Sequence, residues 1–253
     1  MSAPVNESQV KQAVAALMAY HEQKGNAAGN KQMLFEEESD LFLQINVRDI
    51  RTKAIARPKR IAIPHPYTVG NERVALITKD PQHRYEELVS KVDLGYTVEV
   101  LSLKKLKEDL PSFEHQRRFA KAYDIYLADG AIAPHLARRL GKNFMESRKM
   151  PAMVNLRAEN LGQELKRAIE STHLRIPSGS TFTVKFGKLG LSVAENFDNL
   201  MAVVQKAFPS VNGANDMVRS LSITTNSDLA LPIYRILEKP TEPLEQSDVS
   251  DEN

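Results

Sequence analysis

Two glycine-lysine pairs, Gly141-Lys142 and Gly187-Lys188, are the first candidates for phosphate chemistry in this chain. In a P-loop such a pair follows an upstream glycine and precedes a Ser or Thr, because backbone amides cradle the phosphates and the hydroxyl binds Mg²⁺. Neither pair has these neighbours. The turn at residues 78–82, Thr-Lys-Asp-Pro-Gln, also lacks the Gly-x-Gly-x-x-Gly spacing that brings a backbone against a pyrophosphate. The sequence therefore predicts no nucleotide cofactor.

Other catalytic patterns are equally absent from the sequence. Asp124 and Asp129 flank an apolar run and could form an acid/base pair, but aspartate is common in turns, and we favour that interpretation. The six histidines have no metal-ligand spacing, no Gly-x-Ser-x-Gly marks a nucleophile, and the chain has no cysteine. We expect a protein that is not an enzyme and has no catalytic residues, no metal and no cofactor.

Basic residues offer a different chemistry, the binding of phosphates. The span 48–60 holds six basic residues and one acid, a second group comprises Arg138, Arg139, Lys142, Arg148 and Lys149, and Lys185 and Lys188 form a third. The first and third groups could equally be solvated surface, and for the second group we favour a solvated helix face. The overall charge is uneven, since residues 238–253 hold six acids and one lysine, which leaves +7 on the rest of a chain of net charge +2. This split indicates a nucleic-acid or acidic partner.

The patterns around these groups predict a first set of elements at the two ends of the chain. Residues 41–47 alternate as a strand, with Phe42, Gln44, Asn46 and Arg48 outward. In the stretch 181–188, Phe182, Val184 and Phe186 share one face, and Thr181, Thr183 and Lys185 the other. The remaining expectations are a helix at 7–24, a loop at 25–32, a short strand at 61–63, a helix from a capping box at 192–195 to about 208, and a strand at 219–225.

The middle of the chain has a different sequence pattern. Four apolar runs, at 74–77, 98–103, 125–128 and 151–156, alternate with helical patterns at about 82–93, 104–122 and 131–145, and a further helical pattern covers about 160–171. Such alternation predicts a parallel sheet with helices on both faces. We expect an α/β, two-domain fold: a split α+β domain (1–68 and 157–238), an inserted Rossmann-like three-layer α/β domain (69–156), and a disordered acidic tail (239–253). No run of about 18 apolar residues predicts a membrane span, and the N-terminus lacks signal-peptide features.

Six short motifs in this order resemble the ribosomal protein L1 family, the family of the mobile stalk of the large ribosomal subunit. They are Arg-Ile-Ala-Ile-Pro-His (60–65), Tyr-Leu-Ala-Asp-Gly (126–130), Arg-Arg-Leu-Gly-Lys (138–142), Met-Pro (150–151), Phe-Gly-Lys (186–188) and Ala-Glu-Asn (194–196). The likeness covers residues 38–237. It implies the same split domain with a Rossmann-like insertion, and RNA binding by the split domain.

The resemblance also implies where RNA binds. Gly187-Lys188 stands where the family has its Gly-Lys corner. Arg219-Ser220 matches an Arg-Ser pair on the strand next to 181–188, whose serine contacts RNA. We expect the open face of this sheet to be the RNA-binding site. The expected contact set is Asn46, Arg48, Lys185, Gly187, Lys188, Arg219, Ser220, Thr225 and Asn226.

Two contact segments depart from the family pattern. Asn226-Ser227-Asp228-Leu229 replaces a Thr-Met-Gly-Pro loop, and Glu37-Glu38-Ser39-Asp40 replaces Phe-Asp-Glu-Thr. These acids should weaken RNA binding, so the chain looks more like the eukaryotic assembly factors that carry an L1 domain. We expect a monomer in nucleolar pre-ribosomes, without a membrane role, that binds pre-ribosomal RNA and assembly proteins. The short length favours the small-subunit processome; the alternatives are the stalk protein and, distantly, a nucleotide-dependent enzyme.

Overall fold

The structure is a computed structural model that describes residues 5–27, 40–51, 58–68, 70, 72–92, 94–146, 149–211, 218–225 and 229–236. Its helices are α1 (Glu7–Ala27), α2 (Gln82–Ser90), α3 (Leu103–Asp109), α4 (Phe113–Ala122), α5 (Ala133–Glu146), α6 (Leu161–Ile169) and α7 (Val193–Ser210). Its strands are β1 (Asp40–Arg51), β2 (Lys59–Ala62), β3 (Arg73–Thr78), β4 (Thr97–Ser102), β5 (Ile125–Asp129), β6 (Ala152–Val154), β7 (Ser171–Leu174), β8 (Gly179–Lys188), β9 (Val218–Thr224) and β10 (Ala230–Arg235).

Four strands from the two ends of the chain form one antiparallel sheet in the order β10-β9-β1-β8. The inward side chains of β1 and β8 pack with α1 and α7 in one hydrophobic core. The predicted alternation of β8 is confirmed, because Phe182, Val184 and Phe186 are all buried. Phe42 differs from its expected outward exposure, since only 5% of its surface is exposed.

The middle of the chain forms a parallel sheet in the order β4-β3-β5-β6. Side chains of α3, α4 and α5 pack with Ala75 and Ile77 on one face, and those of α2 and α6 pack with Val74 and Leu76 on the other. Consecutive residues of β3 thus face opposite helical layers, which explains its unbroken apolar sequence. The predicted parallel sheet with helices on both faces is confirmed.

A two-stranded ribbon, β2 paired antiparallel with β7, lies where the chain passes between the two sheets. Arg60 on β2 donates through Nη2 to the backbone oxygen of Met153 (2.9 Å) and to Oε1 of Glu164 on α6 (2.8 Å). This hydrogen bond, with the guanidinium charge, holds the pKa of Glu164 below its usual value despite partial burial. The ribbon is therefore tied to the parallel sheet through one arginine.

The division into domains stays a prediction, and the packing of α6 bears on one of its boundaries. The expected boundary at 156/157 assigns this helix to the split domain. Its buried residues Leu165, Ala168 and Ile169 pack instead against the parallel sheet. We propose that the second boundary follows α6, at about Glu170.

Several elements differ from their predicted extents. The helix predicted at 104–122 is two helices, α3 and α4, because Pro111 cannot donate to an i−4 carbonyl and Leu110 before it takes a non-helical conformation. Likewise, α5 is interrupted at Gly141, whose φ is +66°. Conversely, α1 continues through Gly25 to Ala27. Strands β7 and β10 were not predicted, and the acidic tail at 239–253 lies outside the described residues.

Across the described ranges, no helix has the length and apolar content that crossing a membrane requires.

His173 on β7 makes the ribbon sensitive to pH. It pairs across the ribbon with Arg60, and burial, together with the arginine charge, lowers the pKa of His173 to about 4. Between the usual value of about 6.5 and about 4, the unfolded chain binds a proton that the folded chain excludes. We therefore expect the free energy of unfolding to fall by roughly 2–3 kcal/mol as the pH drops through this window.

Other groups titrate in the same pH window, so the test compares the loss of stability in the parent with the loss in variants. Urea unfolding of the parent and of His173→Gln is compared at pH 7 and pH 4.5, with the exposed His135→Gln as the matched control. The parent and the control should lose more stability than His173→Gln. Equal losses in all three proteins would contradict a buried, neutral His173.

Candidate RNA-binding face

The outer face of the antiparallel sheet carries a polar row that crosses all four strands. Thr181, Asn46, Ser220 and Arg235 are successive cross-strand partners on β8, β1, β9 and β10. Asn46 joins its neighbours, since its Nδ2 donates to Ser220 Oγ (2.9 Å) and its Oδ1 accepts from Thr181 Oγ1 (2.9 Å). The sheet therefore fixes Asn46 and Ser220 side by side. The expectation that Arg219-Ser220 lies on the strand next to 181–188 is wrong, because β1 is inserted between β9 and β8.

A second row continues this polar surface. Thr183, Gln44 and Ser222 are cross-strand partners on β8, β1 and β9, and all three are partly exposed. Gln44 Nε2 also lies 3.4 Å from Asn46 Oδ1. Hydroxyl and amide groups of this kind can donate to phosphate oxygens and exchange hydrogen bonds with ribose 2′-hydroxyls.

Two arginines lie beside the first row, further along β1 and β9 and on the side away from the second row. Arg48 follows Asn46 on β1 and is exposed. Arg219 is also exposed, and the register between β1 and β9 shifts beside it. Val218 and Leu221 are both buried although they are three residues apart, so one extra residue interrupts the alternation between them. This bulge leaves Arg219 and Ser220 together between two inward-facing side chains.

Lys185 has close partners within the protein. Its Nζ lies 2.6 Å from Asp40 Oδ1 and 4.4 Å from the centre of the Tyr67 ring, and its side chain is 24% exposed. Burial raises the pKa of Tyr67 to about 12, against a hydrogen bond with Thr172 that lowers it, and the Asp40 charge raises it further. The phenol is therefore neutral at physiological pH, and the ring can hold the ammonium group by a cation–π contact.

The Gly187-Lys188 corner is shaped from inside the protein. Asn196, buried on α7, donates from Nδ2 to the backbone oxygens of Lys188 (3.0 Å) and Leu191 (3.2 Å). A Cβ at Gly187 would lie 2.0 Å from Asn196 Oδ1. The glycine at position 187 therefore makes room for Asn196, whereas Lys188 is partly exposed at the corner.

The helix behind this corner begins as predicted. Ser192 Oγ accepts from the backbone amide of Glu195, and the Glu195 carboxylate accepts from the Ser192 amide, which confirms the capping box. The Ser192 hydroxyl also donates to the Glu195 carboxylate (2.7 Å), and this bond, followed by the one from the Ser192 amide, lowers the pKa of Glu195. The cap fixes the first turn of α7 and with it the position of Asn196.

The last two expected contacts are not on the described surface. Thr225 is 4% exposed, and its Oγ1 lies 2.8 Å from His21 Nε2 on α1. Asn226 lies outside the described residues, as do Asp228, Glu37 and Glu38. Conversely, Arg235 joins the polar row although the sequence interpretation did not include it, because strand β10 was not predicted.

Catalytic geometry is not evident in this surface or elsewhere in the described ranges. No group of three His, Cys, Asp or Glu side chains there could hold a metal ion. Asp124 Oδ2 accepts from the Arg73 amide (3.0 Å), and Asp129 Oδ1 accepts from the Ala131 amide (3.1 Å). Asp129 therefore caps the turn that follows β5, as predicted, whereas Asp124 holds the first residue of β3 through a long-range hydrogen bond.

Most of the chain matches a known protein family. Residues 22–227 match the ribosomal protein L1p/L10e family. The chain belongs to this family. Since the match includes β1, β8, β9 and the whole parallel sheet, the family resemblance seen in the six motifs is confirmed.

Individual relatives include both assembly proteins and ribosomal proteins. The chain is 27% identical over 91% of its length to "Ribosomal L1 domain-containing protein 1" of Mus musculus, and covers 52% of that protein. It is 29% identical over 90% of its length to a Schizosaccharomyces pombe protein named for ribosome biogenesis, and covers 65% of it. The large ribosomal subunit protein uL1 of Pyrococcus abyssi is 20% identical over 75% of this chain. The chain thus spans about half to two thirds of the two eukaryotic relatives.

Two glycines of the same corner offer a test of the packing at Gly187. Gly187→Ala forces a methyl group against Asn196 Oδ1, whereas an added Cβ at Gly190 meets nothing within 4 Å. We expect Gly187→Ala to lower the free energy of unfolding by about 1–3 kcal/mol, the usual cost of overpacking. Gly190→Ala, the matched control, should stay within about 0.5 kcal/mol of the parent. Urea titration followed by circular dichroism measures both, and equal stabilities would show that Asn196 moves away freely.

Proposed function

We propose that this protein is a non-catalytic ribosome-biogenesis factor that binds pre-ribosomal RNA in nucleolar pre-ribosomes. The names of relatives from mouse and fission yeast support an L1-domain protein with a role in biogenesis. The acids at Glu37 and Asp228, where the family pattern has an aromatic and a glycine, favour a factor that binds RNA transiently. We assign it to the small-subunit precursor, as a monomer that also contacts assembly proteins.

The observation that supports this function best is the hydrogen-bonded polar row on the outer sheet face. Its inner counterparts, such as Ile45 and Leu221, seal the core, so the row can change its partners without disturbing the fold. Asn46 and Ser220 are held by each other and by the sheet, which limits the conformational entropy lost on binding. A rigid, polar surface of this kind suits recognition of RNA shape and backbone.

Within this surface we propose distinct roles for the predicted residues. Arg48, Arg219 and Lys188 neutralise phosphates, and Asn46 and Ser220 donate hydrogen bonds. Lys185 holds Asp40 and Tyr67 at the sheet edge and acts as a positioning residue. Gly187 and Thr225 are buried, so we leave them out of the proposed contact set.

A stalk ribosomal protein is the second candidate, because archaeal uL1 proteins are also relatives of this chain. The two functions differ in where the protein sediments. We expect the tagged, full-length protein to travel with pre-ribosomal particles in a sucrose gradient, together with precursor RNA of the small subunit. Stoichiometric presence in polysomes would support the stalk protein instead.

Salt dependence of RNA binding tests the proposed face directly. If about three or four phosphates are neutralised, log affinity for a pre-ribosomal RNA fragment should fall with log salt at a slope near −2 to −4. Arg48→Ala combined with Arg219→Ala should make this slope less steep by about one to two units, because two phosphate contacts are lost.

The matched control is Arg84→Ala with Arg167→Ala, two exposed arginines on α2 and α6, away from the antiparallel sheet. This control should keep the slope of the parent within about half a unit. Lys185→Ala should change the slope less than the Arg48/Arg219 pair, since its charge is already paired with Asp40. If the double arginine variant binds like the parent at every salt concentration, the proposed face is wrong.

A further inference from the structure

The two helical layers of the parallel sheet differ in charge. On α3 and α4 six cations are exposed: Lys104, Lys105, Lys107, Arg117, Arg118 and Lys121. The carboxylates on these helices are Glu108, Asp109 and Glu114. On the opposite layer, α2 and α6 carry three cations (Arg84, Lys166 and Arg167) against three carboxylates (Glu86, Glu87 and Glu164), so that layer is balanced. An excess of positive charge on one side of a layer attracts polyanions.

An aromatic side chain projects from the basic layer. Phe113, in the first turn of α4, is 77% exposed, the largest value among the large hydrophobic residues of the described ranges. Arg117 and Lys121 follow at four-residue spacing, so the three side chains lie on one stripe of the helix. An exposed aromatic ring with cations beside it is the combination that stacks an unpaired base and binds the adjoining phosphates.

The stripe is presented on a firmly packed helix. Phe119 on α4 lies 5.5 Å from the Tyr126 ring and 5.8 Å from the Phe144 ring, between centroids. Gln116 Nε2 also donates to the backbone oxygen of Arg139 on α5 (3.3 Å). These contacts anchor α4 from Gln116 onward, and the Gln116 amide donates to the Ser112 oxygen (3.1 Å) across the turn that carries Phe113.

We propose that Phe113, Arg117 and Lys121 form a second RNA-binding surface, which takes single-stranded RNA by stacking one base on Phe113. This inference rests on the proposed function in that both involve RNA, but it assigns a different surface and a different state of the RNA. The antiparallel sheet would bind folded RNA, and α4 an unpaired segment of the same or a neighbouring molecule.

The chain has no tryptophan, which allows a direct measurement. Phe113→Trp creates a single tryptophan at the proposed stacking position, and Tyr20→Trp, at a residue 42% exposed on α1, is the matched control. A uridine oligonucleotide of about 12 nucleotides, within the usual site size, should quench Phe113→Trp saturably and leave Tyr20→Trp unchanged. The same oligonucleotide annealed into a duplex should quench neither protein.

Charge and stacking are then tested separately. In the Phe113→Trp background, Arg117→Ala with Lys121→Ala should reduce the salt slope for the oligonucleotide by about 1.4 units, whereas Arg84→Ala with Arg167→Ala should not change it. In the parent, Phe113→Ala should weaken binding about fivefold or more and Phe113→Tyr should restore it. Circular dichroism of each variant checks that α4 is intact.

The outcomes separate this inference from the proposed function. If folded pre-ribosomal RNA binds but the oligonucleotide neither quenches Phe113→Trp nor responds to the α4 variants, the inference is wrong and the sheet function stands. If the oligonucleotide binds as expected while folded RNA is insensitive to the sheet variants, the inference stands and the sheet function fails. Quenching by an acidic peptide of residues 238–253, without quenching by the oligonucleotide, would show an acidic-protein surface and overturn the inference.

Discussion

The pairing of two short strands, β2 and β7, is the constraint on which the rest of this fold depends. These strands are separated by the whole parallel sheet, and their pairing brings the chain back beside its starting point. With the chain returned there, β1 pairs with β8 and β9, which come more than a hundred residues later in the sequence. Closing so long a loop costs conformational entropy, which the ribbon and the sheet together must offset.

Side chains beside the ribbon hold both of its ends. Asn199, fully buried on α7, clamps the backbone of His65, accepting from its amide (2.9 Å) and donating to its oxygen (2.7 Å). Pro64 and Pro66 restrict the chain on either side of this residue. On the other side, Arg60 reaches α6 and β6. A buried amide and a partly exposed ion pair thus fix how the chain enters and leaves the parallel sheet.

The antiparallel sheet has one face that stabilises the fold and another that carries the proposed RNA contacts. Burial of one face against α1 and α7 sets the register of β1, because a slip of one residue would turn its apolar side chains outward. The same register places Asn46 beside Ser220 and Thr181. The side chains proposed to contact RNA are therefore positioned by hydrophobic packing on the opposite side of the sheet, and no flexible loop is needed to hold them. The α4 surface uses the same principle, with an aromatic cluster beneath an exposed stripe.

Much of this could be predicted from the sequence, because the signals are local. The alternation of β1 and β8, the apolar runs of the parallel strands and the capping box at Ser192 depend on residues only a few positions apart. Order and spacing of six motifs identified the family. Boundaries were less well predicted where a local pattern continued through a break, as at Pro111 and Gly141. Strand β10 carries Pro232 and lies at the sheet edge, where the pattern of a strand is weakest.

The tertiary structure alone decided which predicted contacts are available. Spacing places Lys185 outward, but only folding brings Asp40 and Tyr67 against its ammonium group. A glycine at 187 is compatible with close approach by RNA, yet Asn196 occupies that space. Thr225 follows a strand in the sequence and could present its hydroxyl to RNA, but in the fold this hydroxyl contacts His21. The sequence by itself determined which side chains face the same way, because that follows from backbone periodicity. Which partners they meet depends on segments distant in the chain, and periodicity carries no information about those.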